Sequence, residues 1–127
     1  MCPFCDEAEE SVEHLFTACV VVVRVWTAFS VWCNISPLIL FDFKDILEIH
    51  KFIKRSKKEE KIIHGLAMIA SWCIWKERNE VVFSQKRCNP QDIIGEMKSR
   101  GFAWMKNRAS CKYISWTEWC KYPLYML

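Results

Sequence analysis

The stretch EEKIIHGLAMIASWCIWKERNEVVF, residues 59–83, decides the fold. It contains no proline, and its apolar residues recur every three or four positions, which is the period of an α-helix. They form three faces: Ile62, Leu66, Ile69 and Cys73; Ile63, Ala67, Ala70 and Ile74; and Met68, Trp72 and Trp75. A helix that is apolar on nearly every side is buried, so this stretch predicts an all-α protein with residues 59–83 at its centre and Trp72 in its core.

Residues 20–33, VVVVRVWTAFSVWC, show the clearest helical pattern before the central stretch. Their apolar face comprises Val22, Trp26, Phe29 and Cys33, which have the spacing of an amphipathic helix. Four consecutive valines are β-branched, so a short strand is the competing interpretation. We predict a helix.

The segment between these two helices contains a helix cap and a basic cluster. Asp42 or Asp45 is expected to cap a helix that runs to about Arg55. The charge run over residues 54–61 then predicts a solvated connection into the central helix.

The dipeptide Asn89-Pro90 predicts the start of another helix, because asparagine caps helices and proline suits the first helical position. This helix should run to about Ala109. Its expected core residues are Ile94, Met97, Trp104 and Met105. Ser115 is expected to begin a last short turn or helix.

The composition is that of a globular domain. The 127 residues are 52% hydrophobic and include only three glycines and four prolines, which excludes wholesale disorder and favours long helices. The formal net charge of +3 is too small to indicate nucleic-acid binding by itself. Residues 1–19 are acidic, whereas residues 51–61 and 98–112 are basic. The longest apolar stretch, residues 20–33, is too short for a membrane span, so no membrane partner is expected.

Eight cysteines indicate either a disulfide scaffold or an intracellular metal protein. The chain starts with a polar, acidic segment rather than a signal peptide, so a reducing intracellular compartment is expected, with nucleus or cytoplasm left open. Five cysteines are interpreted as free thiols, several of them packed as small hydrophobes: Cys33, Cys73, Cys88, Cys111 and Cys120.

Cys2, Cys5, His14 and Cys19 have the spacing of a zinc site. Zinc prefers four tetrahedral ligands, and a closed set of four Cys and His side chains is typical of structural sites. Two thiolates separated by two residues converge easily on one ion, and Ser11 is expected to cap a short helix that carries His14. The spacing therefore predicts one Zn²⁺. The alternatives are a redox dithiol and side chains packed without metal.

The segment CPFCDEAEESVEHLFTAC, followed by VWTAFSVW, resembles the zinc-binding domain of plant reverse transcriptases in LINE-type (non-LTR) retrotransposon proteins. The family pattern is a Cys-x2-Cys pair, an acidic stretch with Glu, then His-Leu-Phe, then Cys, then a helix with Trp. The matching positions here are Cys2, Cys5, Glu10, His14, Leu15, Phe16, Cys19 and Trp26.

A second segment is similar to the Trp-x2-Trp-Lys-x-Arg-Asn sequence that often follows this domain. It comprises Trp72, Trp75, Lys76, Arg78 and Asn79. The family has further residues before the first cysteine, so the chain resembles a truncated copy, with residues 1–33 as the zinc-binding domain and 34–127 as a helical C-terminal region. The family's polymerase domain would lie upstream, so this chain is not expected to be an enzyme or to bind a small-molecule substrate.

Basic residues and the resemblance together make nucleic-acid binding one of two candidate functions that the sequence does not separate. Lysine and arginine contact phosphates and aromatic side chains stack on bases, so RNA or single-stranded DNA is the expected nucleic-acid partner. The candidate contacts are Lys54, Arg55, Lys57, Lys58 and Arg78. The alternative is a structural or protein–protein interaction fragment, in which these residues are solvated helix ends. The overall expectation is a zinc knuckle followed by a bundle of about four helices.

Overall fold

Helices form all the regular structure of this computed structural model in the residues it describes, 1–107 and 113–125, so the all-α prediction is confirmed. The α-helices are α1 (Val20–Cys33), α2 (Phe43–Leu47), α3 (Lys57–Ser84), α4 (Pro90–Lys106) and α5 (Trp116–Lys121). A π-helical turn, His14–Ala18, precedes α1, and a 3₁₀ turn, Ile49–Lys51, follows α2. None of the described helices is both long enough and apolar enough to cross a bilayer.

Helix α3 begins earlier than the sequence pattern predicts. Ser56 is its N-cap and accepts a hydrogen bond from the backbone N–H of Glu59 at 3.2 Å. Glu59 and Glu60 then lie in the first turn, where the helix dipole favours negative charge. The helix ends where Gln85 takes a left-handed conformation with φ of 51°. The prediction that residues 54–61 form a connection is therefore wrong beyond Ser56.

Two of the three apolar faces of α3 are buried, as predicted, but the third is not. Trp72 is 47% exposed and Trp75 is 46% exposed. Each ring has an arginine guanidinium over it: that of Arg100, on α4, lies 4.3 Å from the centre of the Trp72 ring, and that of Arg78, on α3 itself, lies 5.4 Å from the centre of the Trp75 ring. The third face of α3 is therefore at the edge of the bundle, and the prediction that Trp72 lies in the core is wrong.

Trp119 on α5 joins the C-terminal segment to the bundle. Its side chain is fully buried, and its indole N–H donates to the backbone oxygen of Lys98 at 2.7 Å. The Trp32 indole of α1 donates to the Trp119 backbone oxygen, also at 2.7 Å. Gly101 makes this packing possible, since a Cβ there would lie 2.8 Å from Leu66 Cδ2 and 3.0 Å from Trp119 Cζ2. One apolar core therefore draws residues from both predicted segments, 1–33 and 34–127.

The helix predicted to run from Asp42 to Arg55 is interrupted. Asp42 caps α2, and its carboxylate and that of Asp45 form a reciprocal capping box. Helix α2 nevertheless ends at Leu47, and a 3₁₀ turn follows. From Glu48 on, backbone N–H groups donate to the oxygen three residues earlier rather than four: Glu48 to Asp45, Lys51 to Glu48 and Phe52 to Ile49. The prediction of one continuous helix is therefore wrong.

Helix α4 starts as predicted, with Asn89 accepting a hydrogen bond from the backbone N–H of Gln91 at 3.0 Å. Its core residues are Ile93, Met97, Gly101 and Met105, so Ile93 replaces the predicted Ile94, which is only partly buried. The predicted end at Ala109 lies outside the described residues. Ser115 caps α5, as predicted.

The contrast between two tryptophans tests this architecture. Trp119→Ala should lower the free energy of unfolding by about 3–5 kcal/mol, because it leaves a cavity in the core. Trp72→Ala should cost less than about 2 kcal/mol, because half of the side chain is exposed and its main contact is a cation–π pair. Urea denaturation monitored by circular dichroism measures both. Equal losses would contradict the exposed position of Trp72.

Candidate metal centre

Cys2 and Cys5 lie on a tight turn. The backbone N–H of Asp6 donates to the Cys2 oxygen at 2.9 Å, and the Cys2 N–H donates to the Ala8 oxygen at 2.7 Å. Asp6 closes the turn in the left-handed region with φ of 54°, a conformation that aspartate adopts more readily than most residues. The turn presents both thiols to the same side, as the two-residue spacing predicts.

His14 and Cys19 are held by the π-helical turn. The Ser11 hydroxyl accepts a hydrogen bond from the His14 N–H at 3.0 Å, so Ser11 caps the short helical segment that begins at Val12 and continues into the π-helical turn. The Cys19 N–H donates to the His14 oxygen at 2.8 Å, a bond that spans five residues. In an α-helix, residues five apart point about 140° away from each other. The wider π-helical turn brings the two side chains closer to one face, which sequence reasoning did not foresee.

The four predicted ligands converge. All four ligand atoms lie within 4.8 Å of one another. The Cys2 and Cys19 sulfurs are 3.9 Å apart, and Cys5 Sγ is 3.3 Å from His14 Nε2. A tetrahedral zinc ion with Zn–S of about 2.3 Å and Zn–N of about 2.0 Å requires sulfur–sulfur distances near 3.8 Å and sulfur–nitrogen distances near 3.5 Å. The four residues can therefore hold a metal ion.

The two thiols whose pKa values shift lie in different electrostatic surroundings. The pKa of Cys5 is lowered to about 7, chiefly by a hydrogen bond from the Glu7 backbone N–H. Burial raises the pKa of Cys19 to about 12, and the backbone N–H groups of Val21 and Val22 at the start of α1 oppose that rise. A bound cation favours the thiolate form of both groups. The amides at the start of α1 are positioned to stabilise the Cys19 thiolate further.

Residues 2–19, which carry the four candidate ligands and are called the knuckle here, are joined to α3 by a bidentate ion pair. Arg78 Nε lies 2.7 Å from one Glu10 carboxylate oxygen, and a terminal nitrogen lies 3.1 Å from the other. Asn79 Oδ1 accepts a third hydrogen bond from the same guanidinium at 3.1 Å. The hydrogen bonds from Arg78 lower the pKa of Glu10, so the ion pair stabilises the fold at neutral pH and loses this effect as the pH falls through the lowered pKa. Arg78, predicted as a nucleic-acid contact, is therefore engaged inside the protein.

Arg55, a second predicted contact, is also engaged. Its guanidinium donates to the backbone oxygen of Asn34 and to the Tyr122 hydroxyl at 3.3 Å, and it pairs with Glu59 at 3.4 Å. These contacts join the start of α3 to the end of α1 and to the C-terminal segment. The Glu59 contact is local in sequence, but nothing in the local sequence indicates the contacts with Asn34 and Tyr122, which are distant along the chain.

The remaining predicted contacts, Lys54, Lys57 and Lys58, are exposed at the start of α3. No ion pair involves them within the part of the chain that the structure describes. Arg78 lies twenty positions after Lys58 on the same helix, about 30 Å away at 1.5 Å per residue. The structure therefore groups three of the five predicted basic residues and places Arg78 apart from them.

The other described cysteines form no second cluster, since the only group of metal-ligating side chains found in residues 1–107 and 113–125 is the one above. Burial raises the pKa values of Cys33, Cys73 and Cys88 to about 12, which keeps these thiols protonated and unreactive at neutral pH. Cys120 is a partly buried free thiol, and Cys111 lies outside the described residues.

Comparison of the chain with protein families, curated proteins and solved structures gives no match. The all-helical fold and the four-residue cluster are therefore the observations from which a function can be argued. They define a helical protein with a Cys3His group able to hold a metal ion.

A double-mutant cycle tests the link between the knuckle and α3. The effects of Glu10→Gln and Arg78→Gln on the free energy of unfolding, measured by urea denaturation, should be coupled by about 1 kcal/mol, because the ion pair is bidentate and partly shielded from water. The same cycle on Glu48 and Lys51, which are 3.5 Å apart with Lys51 62% exposed, should show almost no coupling. Coupling no larger than that of this control would mean that Glu10 and Arg78 do not hold the knuckle in place.

Proposed function

We propose that Cys2, Cys5, His14 and Cys19 bind one structural Zn²⁺. The observation that carries this is the convergence of the four ligand atoms, which all lie within 4.8 Å of one another. Three sulfurs and one imidazole nitrogen suit zinc better than they suit the oxygen-seeking cations. Four protein ligands leave no open position for substrate, so the metal's role is to hold the knuckle together rather than to catalyse a reaction.

The proposal extends to the kind of protein. The chain is a zinc-binding accessory segment of a retrotransposon-derived, reverse transcriptase-like protein, without catalytic activity of its own. Support comes from the contact between its two most characteristic motifs: Glu10, in the cysteine segment, pairs with Arg78, in the Trp-Lys-x-Arg-Asn segment. Arg78 also lies over the Trp75 ring. A direct contact gives a physical reason for the two motifs to occur in one chain.

Single-stranded nucleic acid is the proposed partner of this segment. Lys54, Lys57 and Lys58 form an exposed cluster, and Phe52 beside them is 72% exposed. Free ammonium groups next to an exposed ring can contact phosphates and stack on a base without reading sequence. The acidic residues before His14 repel a phosphate backbone, which favours contact at the start of α3 over contact at the knuckle.

Protein binding is the second candidate function. An apolar groove beside α2 is bordered by Ile39, Phe41 and Phe52, each more than 70% exposed. Exposed apolar side chains grouped at a groove are typical of interaction sites. The chain can therefore bind another protein at this groove, whether or not it also contacts nucleic acid.

Zinc content tests the first proposal. Purified, reduced protein should contain one Zn²⁺ per chain by elemental analysis, and Cys5→Ser should remove it. Cys120→Ser, which alters a partly buried thiol outside the cluster, should keep it. Since metal binding is coupled to folding of so small a segment, a chelator should expose the amides of residues 2–19 to hydrogen exchange before those of α3. Metal-free wild-type protein would rule the site out.

Salt dependence tests the nucleic-acid proposal. Labelled oligouridylate and oligothymidylate should bind with affinities that fall steeply with salt, as measured by fluorescence anisotropy. Replacing Lys54, Lys57 and Lys58 by Ala should weaken binding and lower the slope of log K against log[salt] by about 2, since each phosphate contact contributes about 0.7 for single strands.

A matched control removes the same charge elsewhere. Replacing the exposed Lys44, Lys106 and Lys121 by Ala should change neither the affinity nor the slope by a comparable amount. Equal effects of the two triple variants would show that only net charge matters. Absence of binding near physiological salt would favour the protein-interaction function.

A further inference from the structure

Residues 35–40 run without a turn or bend between α1 and α2. Their side chains alternate at the end of this stretch: Leu38 and Leu40 pack against the core, whereas Ile39 is 77% exposed and the following Phe41 is 79% exposed. Alternation with a period of two is the pattern of an extended β-strand. This strand-like segment, residues 35–41, is apolar on both of its faces.

The backbone of the strand-like segment has no partner along most of its length. Its two ends are fixed, because the Ile35 N–H donates to the Ser30 oxygen and the Phe41 N–H donates to the Asp45 carboxylate. Between them, no hydrogen bond to another described residue involves the backbone of residues 36–40. A strand that is apolar on both faces normally lies inside a sheet, with neighbours that satisfy its N–H and C=O groups. Here the neighbouring strand is absent from the chain's own described fold.

A groove of about 740 Å³ lies along the strand-like segment. Its opposite wall is formed by Ile49, Phe52 and Ile53. A smaller cavity of about 240 Å³ lies against residues 38–40 and the Trp26 side of α1. The segment therefore has free space on both sides.

The free charge of the groove is positive. Three charged residues line it: Asp45, Lys54 and Arg55. Asp45 is engaged in capping α2, and Arg55 is turned towards Glu59 and Tyr122. Lys54 is exposed and has no ion-pair partner among the described residues, so it is the charge available to a ligand.

We infer that the groove binds an extended peptide segment of another protein, in which apolar residues alternate with acidic ones. The peptide pairs through its backbone with residues 38–40, as an added β-strand, because Pro37 has no N–H to donate. The peptide's apolar side chains fill the groove between Ile39 and Phe52. An acidic side chain of the peptide meets Lys54. A second copy of this chain fits less well, because its own residues 35–41 contain no acidic side chain to meet Lys54.

Synthetic peptides test this inference on the full chain. A labelled peptide of about eight residues that alternates valine and glutamate is compared with one that alternates valine and lysine. The acidic peptide should bind at least about tenfold more tightly by fluorescence anisotropy. Ile39→Gln should weaken its binding by about tenfold or more. Val31→Gln alters an apolar side chain of α1 with nearly the same exposure, 76%, outside the groove, and should leave binding unchanged.

Backbone methylation of the peptide tests the strand pairing without altering the protein. Alternate N–H groups of an added strand point to opposite edges. N-methylation of one alternate set should therefore abolish binding, and methylation of the other set should leave it intact. Equal effects of the two methylated sets, or equal binding of the acidic and basic peptides, would overturn the inference.

The same variant distinguishes a peptide in the groove from two other occupants, a nucleic acid and a second copy of the chain. If Ile39→Gln weakens oligothymidylate binding but not peptide binding, the groove is a nucleic-acid surface and the inference is wrong. If sedimentation shows a dimer that Ile39→Gln dissociates, the occupant is a second copy of the chain, and the inference is again overturned.

Discussion

Burial of the two apolar faces of α3 holds the other elements in place. On one face, Leu66 packs against Gly101 of α4, where the missing Cβ lets the two helices approach closely. That approach leaves room for Trp119, whose indole N–H reaches the backbone of α4 while its own carbonyl receives the indole N–H of Trp32. The terminal helix, α1 and α4 thus share one buried aromatic contact. Because the N-terminus of α1 carries Cys19, the position of the metal cluster also depends on this packing.

The segment that carries the four candidate ligands is too short to form a hydrophobic core of its own. A segment of about twenty residues cannot bury enough apolar surface to fold alone, so such segments need a metal or a disulfide. Here three cysteines and one histidine are able to supply the ligands, and the wider turn at His14–Ala18 brings the last two together. The Glu10–Arg78 pair then orients the folded knuckle on α3. Zinc would hold the knuckle together, whereas the ion pair holds it against the bundle.

The distribution of exposed aromatic side chains separates two surfaces. Trp72 and Trp75 lie under arginine guanidinium groups on the α3–α4 side. Phe41 and Phe52 lie beside the groove and the free lysines at the start of α3, with no cation stacked on them in the described residues. The arginines already cover part of the two indoles, so an incoming ligand gains less by contacting them. The groove side offers apolar surface, unpaired backbone and free positive charge together.

Much of the architecture was accessible from the sequence because it depends on local rules. The helical period of residues 20–33 and 59–83, the caps at Asn89 and Ser115, and the spacing of the four ligands all concern residues close together in the chain. The tertiary structure alone decided which face of α3 is exposed, where the helix after Asp42 stops, and which partners Arg55 and Arg78 take. Arg78 and Glu10 are separated by 68 positions, and Arg55 and Tyr122 by 67. The local sequence shows whether a side chain is apolar or charged. Only the packing of elements distant in sequence determines which residue that side chain contacts.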